Sequence, residues 1–174
     1  MEIQTKRLIV RQLKPSDIDA VFEYMSDKVT SHYIAQGCLS FSETRNFIQS
    51  NFSRDAKCFA LEKQGSNKVI GHVEFYPCYG EHTYEIGWII NKAFHRQGFA
   101  YEAAFALIKH AFSDLNIHRI IATCQPENKA SYGLMEKLGM QREGHFVKCI
   151  PRGNSCWWDE YAYAILQENF NDVG

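Results

Sequence analysis

The sequence predicts a mixed α/β domain of α+β-like layout, a single central and mostly antiparallel sheet of about seven strands with four helices. Three observations carry this expectation. Strand-length runs of β-branched and aromatic residues are joined by tight-turn residues, amphipathic stripes follow capping residues, and one strand–helix–strand unit spans Thr83 to Cys124.

Taken in order, Thr5 to Leu13 is rich in β-formers and is predicted as the first strand, punctuated by Pro15-Ser16-Asp17. Ser16, with Asp19 three residues on, is expected to cap a helix whose Ile18, Val21, Phe22 and Met25 form one apolar stripe. After an irregular stretch, Ser40 and Glu43 repeat the capping-box spacing ahead of Thr44, Phe47, Ile48 and Phe52, a helix ending near Ser53. Cys58 to Lys63, Val69 to Tyr76 and Thr83 to Ile90 then read as three strands joined by hairpin turns.

From Phe99 the period becomes helical, with Tyr101, Ala104, Phe105, Ile108 and Phe112 on one face, until Asp114-Leu115-Asn116. His118 to Cys124 is the next strand, so the pair Thr83–Ile90 and His118–Cys124 is expected to run parallel through a right-handed crossover. Asn128 caps a fourth helix, Lys129 to Leu138, stopped by Gly139. Met140 to Lys148 and Trp157 to Leu166 complete a hairpin around Pro151-Arg152-Gly153-Asn154.

Composition narrows the function. The chain has 174 residues, 45% hydrophobic, 14% aromatic and 22% charged, which fits one globular domain over residues 1–174. Its net charge is -1, with 19 Lys and Arg against 20 Asp and Glu, so nucleic acid is not an expected partner. No apolar run approaches the roughly 20 residues of a membrane span, and no leader pattern opens the chain, so no membrane partner and a cytoplasmic location are expected. Six scattered cysteines without a CxxC pair, and seven histidines without HExxH, point to free thiols and no metal.

Gly98 sits where a strand hands over to a helix. A glycine there eases the junction, or it brings backbone N–H groups close to an anion at the positive end of a helix. The second reading places a phosphate at the carboxyl end of a strand, where open α/β sheets bind ligands. The pattern GxxxxGK[ST] of nucleotide-binding loops is absent.

Three segments in this order resemble the GNAT acyltransferases, and within them the Rim-type ribosomal-protein and protein N-terminal acetyltransferases. They are Tyr84-Glu85-Ile86-Gly87-Trp88-Ile89-Ile90, Arg96-Gln97-Gly98-Phe99-Ala100-Tyr101-Glu102-Ala103, and Asn128-Lys129-Ala130-Ser131 with Glu136-Lys137-Leu138-Gly139-Met140. The resemblance implies a GNAT fold with a splayed parallel pair, acetyl-CoA as co-substrate, and pyrophosphate bound by the turn His95, Arg96, Gln97, Gly98, Phe99, Ala100 and Tyr101. His95 stands where the family has Gln or Arg. The pantetheine arm would bond between Trp88–Asn91 and Ala122–Gln125, with Trp88, Ile89 and Ile90 supplying backbone groups that polarise the thioester carbonyl.

By the same resemblance Asn128 contacts the pantetheine and Ser131 protonates the leaving thiolate. Met135 occupies the position of the tyrosine acid of many relatives. Glu85 is the candidate base and is otherwise a solvated strand carboxylate, with Glu74, Asp159 and Glu160 as rivals; Trp88 is otherwise a core aromatic. Cys124, at a strand end, reads as a core thiol and not as an acyl carrier. The expected acceptor is an amine, at a protein N-terminus or on a small molecule such as a polyamine, an amino acid or an antibiotic. Segments 31–40, 76–82 and 149–158 would form its cleft, in a monomer or homodimer. A catalytically idle acyl-CoA sensor is the contrasting reading.

Overall fold

A computed structural model describes residues 1–52, 55–152 and 155–170. Its strands are β1 (Glu2–Gln4), β2 (Leu8–Gln12), β3 (Cys58–Lys63), β4 (Lys68–Pro77), β5 (Thr83–Ile90), β6 (Arg119–Cys124), β7 (Gln141–Pro151) and β8 (Trp157–Leu166). Four α-helices, α1 (Ile18–Met25), α2 (Phe41–Ser50), α3 (Phe99–Ser113) and α4 (Lys129–Lys137), stand among them. The strands hydrogen-bond in the order β1-β2-β3-β4-β5-β6-β8-β7 as one open sheet. The sheet thus has eight strands, not about seven. The added strand is β1, three residues whose register with β2 (Ile3↔Val10) no local pattern announces.

The chain divides into two compact units, Met1–Phe75 with Trp88–Leu107, and Tyr76–Gly87 with Ile108–Gly174. In the first, α1 and α2 cover Leu13, Val21, Tyr24, Met25, Ile48, Cys58, Ala60 and Val69. Ser40 does cap α2: its Oγ accepts from the Glu43 amide at 3.3 Å, and Glu43 answers the Ser40 amide at 2.7 Å. The helix stops at Ser50, Phe52 is exposed, and the expected end at Ser53 lies outside the described residues.

Ser16 does not cap α1. It lies in a 3-10 turn, Pro15–Asp17, and the Lys14 amide donates to Asp17 at 2.8 Å. Asp17 is buried because Arg11 on β2 reaches it through two nitrogens, at 2.8 and 2.9 Å, while the Arg11 Nε bonds Glu62 on β3 at 2.6 Å. The Asp17 bond, ahead of Glu62, raises the Arg11 pKa further above its ordinary value against the effect of burial.

In the second unit β5 and β6 run parallel through Thr83↔Arg119, Tyr84↔Ile120 and Glu85↔Ile121, where the ladder ends although β6 continues to Cys124. β8 pairs antiparallel with both β6 and β7. β7 runs to Pro151, further than Lys148, because its register shifts between Phe146 and Ile150. At that bulge Lys148 takes φ +50° and its amide donates to Asp159 at 2.8 Å. Gly153 and Asn154 of the expected turn lie outside the described residues.

The buried stripe of α3 is Ala103, Ala104, Leu107, Ile108, Ala111 and Phe112. Tyr101 and Phe105, expected on that face, are half-buried and stack on each other at 5.8 Å. The small alanines, not the aromatics, permit the close packing. All six cysteines are free, and no helix among the described residues is long and apolar enough to cross a membrane.

Candidate functional site

The turn after β5 lies wholly in the first unit. Buried Asn91 shapes it: its amide donates to the Ile70 carbonyl at 2.8 Å, its Oδ1 accepts from Ala93 at 3.0 Å, and its Nδ2 donates to Glu23 at 2.9 Å. A 3-10 turn, Lys92–Phe94, follows. The His95 Nε2 then donates to the Ile90 carbonyl at 2.8 Å, since a carbonyl only accepts, so its ring secures the end of β5.

Arg96 and Gly98 both have left-handed backbone, φ +57° and +81°. That conformation is strained for arginine and costs glycine nothing. The first bond of α3 runs from the Glu102 amide to the Gly98 carbonyl at 3.0 Å. The Gly98, Phe99 and Ala100 amides therefore precede the helical ladder at the positive end of a 15-residue helix. An exposed turn with this backbone suits an anion.

Sequence reasoning missed what holds the turn. Arg7, just before β2, donates from Nε to Glu102 at 2.6 Å and from Nη1 to the Gln97 carbonyl at 2.9 Å, and its guanidinium lies 4.3 Å from the Phe99 ring centroid. Thr5 Oγ1 and the Arg7 amide also donate to Glu102, at 2.6 and 2.7 Å. Burial pushes the Glu102 carboxyl up, but these bonds outweigh it and hold it below its usual range. Arg7 and Glu102 are 95 residues apart, so no local pattern signals the pair.

β5 carries Trp88 and Ile89 half-buried and Ile90 buried, with Ile89 packed against the α1–α2 core.

The second unit holds Glu85, Asn128 and Ser131. Asn128 caps α4 by accepting from the Ser131 amide at 3.2 Å, and Gly139, φ +84°, ends that helix as expected. The Ser131 side chain bonds Cys124, whose thiol burial pushes up to about 11. A thiol so protonated is a poor nucleophile. Glu85 is half-buried opposite Ile121. Ile121 and Cys124 are three residues apart on β6 and project to opposite faces, so Glu85 and Ser131 occupy opposite faces of the sheet.

Of the rival carboxylates, Asp159 is engaged by the Lys148 amide and by His145 at 2.7 Å, bonds that lower its pKa. Glu160, one residue on, projects to the other face. Glu74, on β4 in the first unit, sits opposite Cys58.

Residues 7–141 match the family model described as an acetyltransferase (GNAT) domain. The chain is 48% identical over 171 residues to the uncharacterized N-acetyltransferase YnaD of Bacillus subtilis (strain 168), covering 98% of this chain and 100% of that protein. It is 35% identical over 80 residues, 46% of this chain and 37% of the relative, to the ribosomal protein uS5-alanine N-acetyltransferase of Escherichia coli (strain K12). A solved acetyltransferase of the GNAT family from Bacillus anthracis superposes with a TM-score of 0.92 at 50% identity, over 97% of this chain and 99% of that one.

Proposed function

Because the chain belongs to the GNAT acetyltransferase family, we propose that it acetylates the amine of a protein N-terminus, as a cytoplasmic enzyme that is monomeric or homodimeric. The reaction class follows from the family: an N-acetyltransferase that uses acetyl-CoA. The similarity over 80 residues to the uS5-alanine enzyme supports a protein N-terminus over a small amine. The observation that carries cofactor binding is the left-handed Gly98 at the start of α3.

When bound, acetyl-CoA supplies an activated acetyl group. The amides of the turn from His95 to Tyr101 would hold its pyrophosphate, and backbone groups at Trp88, Ile89 and Ile90 would orient the pantetheine arm and polarise the thioester carbonyl. Asn128 would accept or donate a hydrogen bond to the same arm. Glu85 would take the proton of the amine, and Ser131 would give a proton to the departing sulfur.

An acetylation screen of N-terminal peptides, ribosomal proteins, polyamines and aminoglycosides tests the acceptor. Peptides and ribosomal proteins are expected to be labelled; turnover confined to polyamines or aminoglycosides replaces the acceptor, and CoA binding without turnover on any amine leaves a sensor. For Glu85→Gln, turnover at neutral pH is expected to fall about 100-fold and to recover partly as pH rises and free amine accumulates. A wild-type pH profile removes Glu85 from the role.

Arg7→Gln is expected to weaken CoA binding about 10-fold in calorimetry, the worth of a lost charge-assisted bond, with an unchanged circular dichroism spectrum. Since the folded pKa of Glu102 is lowered, the brace is complete above the ordinary carboxylate value and is lost as pH falls through the lowered one.

A further inference from the structure

The first unit holds a second polar cluster, beneath α1 and α2 and away from the Gly98 turn. Cys58 on β3 pairs with Glu74 on β4, and Ala60 pairs with His72, so Cys58, His72 and Glu74 project to one face. The Cys58 sulfur, a His72 ring nitrogen and a Glu74 carboxylate oxygen all lie within 4.8 Å of one another. His72 is fully buried and Cys58 nearly so.

One feature separates this cluster from ordinary core packing. The His72 Nδ1 shares a 2.9 Å hydrogen bond with the Tyr24 hydroxyl, while Nε2 is buried without a hydrogen-bond partner among the described residues. Leaving such a nitrogen unsatisfied is unfavourable.

We propose that Cys58, His72 and Glu74 form a metal site for a zinc-class divalent cation. One sulfur, one imidazole nitrogen and one carboxylate oxygen are donors that zinc accepts, and three protein ligands leave a fourth position for water. The Tyr24 hydroxyl, 2.9 Å from His72 Nδ1, would hold the ring in place, as hydrogen-bonded neighbours of metal-bound histidines do. Binding is balanced by release of the Cys58 thiol proton to solvent, with His72 entering neutral and Glu74 as the carboxylate. The cation would tie β3 to β4.

Cobalt(II) is the probe, because it occupies zinc sites and reports its ligands by absorption. Reduced full-length protein is expected to bind one equivalent, with a near-ultraviolet sulfur-to-cobalt band and visible bands of tetrahedral intensity, all displaced by zinc. Cys58→Ala is expected to erase the sulfur band, and Tyr24→Phe to keep it while weakening affinity about 10-fold. Replacing the exposed Cys38, Cys149 and Cys156 with serine should leave the band in place. Absence of the band in the wild-type protein, or its loss only with the exposed cysteines, overturns the site. Should Cys58→Ala fail to fold, Glu74→Gln decides: weakened cobalt binding supports the site, and wild-type affinity overturns it.

Discussion

Gly98→Asp is expected to raise the Kd for CoA at least about 100-fold while the protein keeps its fold. Two terms add. Any L-residue at φ +81° carries a left-handed penalty of about 1–2 kcal/mol, which the turn can relieve only by changing shape. The new carboxylate also stands where the pyrophosphate is to bind, and like charges there contribute the remainder of the roughly 2.7 kcal/mol that a 100-fold change represents. A Cβ at Gly98 would lie 3.4 Å from an Arg7 guanidinium nitrogen, so the aspartate would further draw Arg7 from Glu102 and the Gln97 carbonyl. Gly98→Ala isolates the backbone term and should lose about 10-fold. Calorimetry with CoA, beside circular dichroism, measures both. Unchanged affinity in a folded Gly98→Asp protein removes the turn from phosphate binding.

Arg11→Met should destabilise the fold by about 3–5 kcal/mol, because it strands Asp17 as a buried carboxylate without its cation. For a chain of this size that lowers the Tm by about 10 °C. Adding Asp17→Asn is expected to recover part of the loss, since the stranded charge, more than the missing attraction, makes the single variant costly. Urea unfolding of both variants checks this. A loss under about 1 kcal/mol in Arg11→Met would show that Asp17 reaches water and that the Arg11 network does not secure β2 to the turn before α1.

What was legible in the sequence shares one property, that its determinants lie within a few residues of each other. The capping box of Ser40 and Glu43, the Asn128 cap, the Gly139 stop and the left-handed Gly98 are short-range hydrogen-bond or backbone events. The β-forming runs of β3, β4 and β5 are equally local. Where local signals competed, the sequence reading went astray. Ser16 offered a cap, but Asp17 is drawn into the turn by Arg11. Tyr101 and Phe105 offered an apolar face, but Ala103 and Leu107 fit the core more closely.

The candidate site divides along the same line. The residues of the turn, with Asn128 and Ser131, were nameable from spacing and family resemblance. That Glu85 and Ser131 lie on opposite faces follows from the register of β5, β6 and β8. Register also brings Cys58, His72 and Glu74 together from strands whose separate patterns look like ordinary core.

By itself, then, the sequence determined the reaction class, the turn built around Gly98 and most of the secondary structure, because each is encoded in contiguous residues whose hydrogen bonds close locally. Only the tertiary structure decided that Arg7 braces that turn from 95 residues away, that Arg11 buries Asp17, and that Cys58, His72 and Glu74 converge beneath α1. Those pairings depend on strand register and side-chain reach, which are set when the sheet assembles and the entropy of closing long loops is overcome.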